Sequence, residues 1–279
     1  MAFQRYVGLS VTTKDGESVK IEDLRIDFDI ERTCGKEANR AVIRVYNLTK
    51  ETSAQVTEAD GHILLRAGYK DEAIGTIFTG DILCGNRTHE DNDYVTTIEA
   101  YDGRTAVMGG MVSLSYAPDT DALTVAQALL DAIGLAYKGT DLIPEGEKYP
   151  HGYCFIGMAT DGLSELLARY GFFYTVQDET LYIYEQRKET ENSELTLEEG
   201  GDLLTLPQPL SDKTECKDIN EEAPNRWVFG AKLNPQLVPG ASVSIESSTF
   251  KGELVIQSAK CRGSNMDGDF RVDIEAEAL

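Results

Sequence analysis

Phe78-Thr79-Gly80-Asp81-Ile82 and Phe250-Lys251-Gly252-Glu253-Leu254 write one pattern twice in a single chain: aromatic, any residue, glycine, acid, aliphatic. Each leads through a polar turn to a second alternating run, ending in Ile98-Glu99-Ala100 and in Ile274-Glu275-Ala276. Residues 77–102 are thereby read again at 249–278, with four more residues between the landmarks. Successive side chains of a strand point to opposite faces. Ile98 and Ala100 therefore share a core face with Glu99 opposed to them, and Ile274 and Ala276 oppose Glu275 in the same way. Glycine two positions after the aromatic admits a bulge or a tight bend. A weaker match extends upstream, where Gly61 and Gly240 each open an alternating run. Duplicated β units belong to architectures that use symmetry.

Outward from the first copy, the chain keeps a period of two: Ile26, Phe28 and Ile30 face one way, Arg25, Asp27 and Asp29 the other. Strands are predicted at 41–46, 63–69, 74–83 and 94–101. Turns are expected at Lys14-Asp15-Gly16, Ala59-Asp60-Gly61 and Asp91-Asn92-Asp93. A helix over 49–56, with Thr49 as N-cap, is the one interruption. The middle changes period. Leu123, Ala126, Leu130 and Ile133 line one face of a helix at 121–133 that stops at Gly134. Leu163, Leu166, Leu167 and Tyr170 do the same at 160–170 before Gly171. Runs at 172–176 and 181–184 flank Gln177-Asp178-Glu179-Thr180 as a hairpin. The charged stretch 186–201 reads as a linker, and 211–225 as a second polar connection. The expected fold is mainly β with an α+β insert: two similar small β-barrels at 1–105 and 191–279, flanking a helix and strand domain at 106–190.

Acidic residues outnumber basic ones 48 to 26 and are spread along the length, a surface that repels phosphate backbones. Gripping nucleic acid is excluded on this ground; a surface past which DNA slides is not. The opening residues, 1–6, lack a basic start and apolar stretch, and no apolar run approaches the ~18 residues of a membrane span. The expectation is a protein made and folded in cytosol, with no membrane anchoring. Cys34, Cys84, Cys154, Cys216 and Cys261 are widely separated and never in a CxxC pair, so they read as buried or neutral thiols.

Catalytic and cofactor signatures are missing. His62, His89 and His151 lie in separate segments without metal-ligand spacing, and the Asp/Asn-rich tips at 90–93 and 265–269 are explained by turn chemistry. No nucleophile elbow, phosphate loop or dinucleotide fingerprint occurs, and Gly109-Gly110 has no phosphate-loop context. The aromatic cluster Tyr170, Phe172, Phe173 and Tyr174 reads as core. The expectation is a protein that is no enzyme, with no catalytic residue, no cofactor and no metal. Its notable residues are then the structural landmarks Phe78, Gly80, Asp81, Ile98, Glu99, Phe250, Gly252, Glu253, Ile274 and Glu275.

Several words then carry a family resemblance across nearly the whole chain: Val45-Tyr46-Asn47-Leu48-Thr49, Ala67-Gly68-Tyr69, and the Phe78-Thr79-Gly80-Asp81-Ile82 strand. To these are added Ala126-Gln127-Ala128-Leu129-Leu130, the helix-to-strand turn Leu163-Ser164-Glu165-Leu166-Leu167-Ala168-Arg169-Tyr170-Gly171-Phe172, and Leu233-Asn234-Pro235 before Val238-Pro239-Gly240. In this order of segments the chain resembles the central baseplate hub proteins of contractile-tailed bacteriophages and related contractile injection systems. The resemblance implies a virion protein of the tail baseplate, a homotrimer whose two barrels per chain make a pseudo-sixfold ring. Such a ring joins a hexameric tail tube protein to a trimeric spike, touches baseplate wedge and tape-measure proteins, and passes DNA only as cargo. Two other readings of the residues stay open. One is a peptidoglycan-degrading tail hydrolase using a carboxylate pair among the many acids. The other is a receptor- or glycan-binding module, or a distal tail adaptor.

Overall fold

The computed structural model describes residues 4–35, 38–58, 60–104, 110–185, 195–210 and 226–278. The expected boundaries at 105/106 and 190/191 lie outside these residues, as do Gly109, Cys216 and the connection 211–225. The first β unit contains β1 (Arg5–Thr12), β2 (Ser18–Ile21), β3 (Ile26–Thr33), β4 (Arg40–Tyr46), α1 (Lys50–Val56), β5 (His62–Tyr69), β6 (Ile74–Glu90) and β7 (Asp93–Tyr101). Thr49 caps α1 as its sequence position suggests, its hydroxyl accepting from Thr52 N at 3.1 Å. The strand alternation also holds, with Ile26, Phe28 and Ile30 buried on β3 and Asp27 and Asp29 half-buried on the other face.

The insert follows with β8 (Met111–Tyr116), β9 (Thr120–Asp121), α2 (Ala122–Ile133), β10 (Ala136–Lys138), β11 (Lys148–Tyr149), β12 (Tyr153–Met158), α3 (Ala159–Ala168), β13 (Phe172–Gln177) and β14 (Thr180–Glu185). Gly134 ends α2 in the left-handed region at φ 78°, its N–H bonded to Leu130 O at 3.1 Å, and the chain turns into β10. Gly171, at φ 75°, does the same before β13. Helix α3 stops at Ala168, short of Tyr170. The β13–β14 turn has Asp178 and Glu179 both at positive φ, the conformation of a two-residue hairpin loop. Tyr174 is buried as expected, whereas Phe173 is 41% exposed, because the strand period that puts Tyr174 inward turns its neighbour out.

The second β unit holds β15 (Thr196–Glu198), β16 (Leu203–Pro209), β17 (Arg226–Lys232), β18 (Ser242–Glu246), β19 (Lys251–Ser264) and β20 (Phe270–Ala278). The expected pair of separate small barrels is not what the ladders draw. Among the described residues one 13-stranded, largely antiparallel sheet runs β16-β17-β20-β19-β3-β4-β7-β6-β5-β1-β2, open at both ends, with β18 and β15 branching from β19. The reason is the length of β19: its first part pairs with β18, and its second part outlasts β18 and offers the same edge to β3.

One apolar core accordingly serves both β units, mixing Phe28, Phe78 and Ile98 with Phe229, Ile256, Phe270 and Ile274. The insert has its own, centred on Leu129, Leu130, Leu163, Leu167 and Leu181. Cys34 and Cys261 are buried thiols, pushed up by burial to about 12 and about 11, while Cys84 and Cys154 are exposed. Among the described residues no helix is long and apolar enough to cross a membrane.

A Cβ at Gly263 on β19 would run into the ring of Phe28 across the junction and lie 2.8 Å from Phe270. Gly263→Val is therefore expected to lower stability by about 1–3 kcal/mol, the usual range for an overpacked core. The check is the midpoint of urea denaturation, followed by circular dichroism.

Candidate functional site

The junction between the two β units is where charge, packing and backbone pairing coincide. β3 and β19 pair antiparallel from Ser258 opposite Thr33 to Ser264 opposite Asp27. On the inner face Phe28 and Ile30 meet Gly263 and Cys261. On the outer face the acids of β3 lie opposite the bases of β19: Arg262 reaches Asp29 at 3.2 Å, and Lys260 bonds Glu31. These pairs are part-exposed and individually contribute little, but their signs fix which strand lies beside which. Lys260 bonding, more than its Coulomb attraction, holds the Glu31 carboxyl below the usual range.

The hairpin tip of the second unit adds a clasp. Asn265 Oδ1 accepts from Ile26 N at 2.9 Å and its Nδ2 donates to Leu24 O at 2.8 Å, so the side chain imitates a paired strand residue. From β1, Arg5 donates to Ser264 O at 3.1 Å and Gly268 O at 2.8 Å while lying over the Phe270 ring. Tyr69 OH donates to Phe270 O at 3.2 Å.

The same ladder displays the duplication and corrects its register. A row across the first unit reads Asp29, Val42, Glu99, Cys84; a row across the second reads Gln208, Val228, Glu275, Ser258. Each row ends just past a bulge, between Ile82 and Cys84 in one unit and between Ile256 and Ser258 in the other. Beside the bulges, Asp60 N donates to Ile82 O and Ile82 N to Gly61 O, as Gly240 N donates to Ile256 O and Ile256 N to Ala241 O. Ile98 thus corresponds to Ile274 and Glu99 to Glu275, the pairing that the sequence match implies. On β6 and β19, however, Ile82 corresponds to Ile256, which places Gly80 opposite Leu254 and Phe78 opposite Gly252. The Phe-x-Gly words are offset by two residues. A shift of two keeps every side chain on its face, which is why the words match by alternation although the ladders do not.

The landmarks consequently differ in setting. Phe78 and Ile98 are in the core, and a Cβ on Gly80 would lie 2.6 Å from Tyr101 O. Asp81 lies beside His62, and Glu99 is held by Arg40 at 2.8 Å. In the second unit Phe250 packs on Trp227, Gly252 and Glu253 are exposed, Ile274 is buried, and Glu275 is exposed along a groove with Thr205 and Gln208. The acidic faces are therefore partly neutralised by basic partners from neighbouring strands.

A second polar cluster docks the insert onto the first unit, and sequence spacing gave no sign of it. Arg32, 3% exposed, donates to Asp178 Oδ2 at 2.7 Å, Gln177 Oε1 at 3.2 Å and Ile77 O at 3.2 Å. Asp102 accepts the backbone N–H groups of Asp178 and Glu179 at 2.7 and 2.8 Å, and Asn39 Nδ2 donates to Val176 O and Gln177 Oε1. Five chain segments meet here. Burial pushes the Asp102 carboxyl up to about 6, against the hydrogen bond from Glu179 N that favours its charge.

With this geometry in view, solved structures show the same fold. The 43 kDa tail protein of prophage MuSo2 from Shewanella oneidensis matches with a TM-score of 0.66 at 8% identity, over 98% of each chain. A tail protein from Neisseria meningitidis gives 0.64 at 10% identity, over 97% of this chain and 96% of that one. The fold is that of phage tail proteins. An Escherichia coli component of the type VI secretion system, itself structurally similar to T4 bacteriophage tail proteins, matches at 0.59 and 11% identity over 92% and 74%. No family model and no curated protein matches. This tail-protein fold thus survives at identities where no individual side chain is held in common by necessity, which leaves the strand ladder as its signature.

The raised Asp102 value has a definite sign. Its folded value, about 6, exceeds the unfolded 3.8, so protonation favours the fold. Its contribution is full below about pH 4 and is lost as pH rises through 6. Comparing wild type with Asp102→Asn by urea denaturation, the wild-type advantage should shrink from pH 4 to 6 and stay flat above 7.

Proposed function

We propose that the chain is a baseplate hub: a structural virion protein that closes a ring of three copies, six β units, between a hexameric tail tube and a trimeric spike. The observation that carries this reading is the β3–β19 junction. In the first unit the stretch of β6 from Cys84 to Glu90 corresponds to the stretch of β19 that β3 covers, and among the described residues no strand of this chain covers it. In the second unit β16 corresponds to β3, pairs with β17 on one side, and ends the sheet on the other. One junction made within the chain thus leaves one of each edge over. Repetition of the same contact between chains uses both edges and closes after three copies, a heterologous ring.

A detail of the first edge supports this. Asp91, on the β6–β7 tip, corresponds to the clasp residue Asn265 of the other tip. The net charge of −22 suits a conduit through which DNA passes without sticking. The protein then works by assembly, with wedge and tape-measure proteins as further neighbours in the tail, and carries out no chemical step.

Thr88 and Gln208 take the places of Arg262 and Asp29 in the repeated contact. With Cys84, Cys154 and Cys216 changed to serine, Thr88→Cys combined with Gln208→Cys should give covalent trimers under mild oxidation, read on a non-reducing gel. Either cysteine alone should stop at dimers. A chain that stays monomeric by light scattering at all concentrations and never cross-links in assembled tails would overturn the reading.

A further inference from the structure

We infer that His62, Asp81 and Glu179 form a binding site for a divalent transition-metal ion that fastens the insert to the first β unit. The three come from β5, from β6 and from the β13–β14 turn, so no sequence spacing could announce them. His62 and Asp81 are directly opposite in the β5–β6 ladder, and Glu179 is brought over them by the hairpin tip that Asp102 holds. His62 Nδ1 stands 3.4 Å from Asp81 Oδ1 and 3.5 Å from Glu179 Oε1, and the three ligand atoms all lie within 4.8 Å of one another.

The other ring nitrogen decides what Nδ1 can do. His62 Nε2 is 3.0 Å from Thr79 Oγ1, and that hydroxyl has a carbonyl, Ile63 O at 3.2 Å, that can take its single proton. Ion binding through Nδ1 uses the tautomer in which Nε2 carries the proton, and Thr79 Oγ1 stands where it accepts that proton. In that tautomer Nδ1 turns its lone pair toward the two carboxylates, and a cation between them replaces the 3.4 Å contact of Nδ1 with Asp81 Oδ1. A histidine whose far N–H is fixed by a second hydrogen bond, with its lone pair turned toward acids, is the arrangement found around metal ions.

Spacing agrees with chemistry. Ligands each about 2.0–2.2 Å from a tetrahedral ion lie about 3.4 Å apart, which matches both distances from Nδ1. The remaining gap between the carboxylates closes by rotation of the Glu179 side chain, which is 40% exposed. One imidazole and two carboxylates suit Zn²⁺ or Mn²⁺ better than the all-oxygen preference of Mg²⁺ or Ca²⁺. Solvent supplies the rest of the coordination, so the site acts as a clip and leaves the fold to be held by Arg32 and Asp102.

The test uses the full chain, stripped with a chelator and titrated with ZnCl₂, MnCl₂ and MgCl₂ by calorimetry. Wild type should bind Zn²⁺ or Mn²⁺ at this site with a dissociation constant at or below the micromolar range, and Mg²⁺ at least a hundredfold more weakly. Glu179→Gln should weaken that binding at least tenfold, and His62→Gln should abolish it. Binding should also raise the melting temperature of wild type and leave that of Glu179→Gln unmoved. Glu179→Gln keeps the backbone N–H that Asp102 accepts, so it remains informative if His62→Gln misfolds. Absence of binding at micromolar Zn²⁺ and Mn²⁺, or binding that Glu179→Gln leaves unchanged, overturns the inference. A trimer that forms equally well in Glu179→Gln would leave the hub reading standing, since the two rest on different residues.

Discussion

The antiparallel contact of β3 with the far half of β19 is the constraint from which the rest of the molecule follows. It exists because β19 is fourteen residues long and its partner β18 only five, so half of one edge is left for another strand. Once β3 takes that edge, Phe28 and Ile30 are carried against Gly263 and Cys261, and the cores of the two β units become one. The outer face supplies specificity in place of bulk affinity. Asp29 and Glu31 oppose Arg262 and Lys260, and a slip of one residue would put acids into the core and aliphatics into water.

A duplicated unit with a single internal junction is unsaturated by construction. Within the chain the first unit lends its β3 edge and the second its β19 edge; the counterparts, β6 and β16, are left at the same places of their own units. A closed structure with one unit per junction cannot be completed inside one polypeptide of this topology. The acid and base content of the leftover edges differs from that of the occupied one, since Thr88 and Gln208 replace Arg262 and Asp29. The contact within the chain thus carries two opposite-charge pairs that its two leftover edges could not reproduce at these positions.

The insert obeys a different logic. Its helices and short strands have a core of their own, and its grip on the first unit is polar: a buried arginine, a buried carboxylate accepting two turn N–H groups, and an asparagine bridging between them. Such networks are costly when any member is missing and narrow in geometry when complete. They fix orientation more than they add stability. His62, Asp81 and Glu179 extend that network to the surface.

Much of this was legible in the residues. Alternation located the strands, Thr49 marked the start of a helix, Gly134 and Gly171 marked helix ends, and Gln177-Asp178-Glu179-Thr180 marked a hairpin, because each of these is set by backbone preference within a few residues. The repeated Phe-x-Gly words align two residues away from the ladder alignment of Ile82 with Ile256, since strand patterning repeats every two and words slide along it without penalty. What only the tertiary structure decided is where each edge goes: that β19 leaves β18 for β3, that Arg32 is buried against a hairpin 146 residues away, and that a lone histidine faces two acids. Those outcomes depend on strand lengths and on groups brought together across the whole chain, and local sequence carries no energy term that distinguishes one free edge from another.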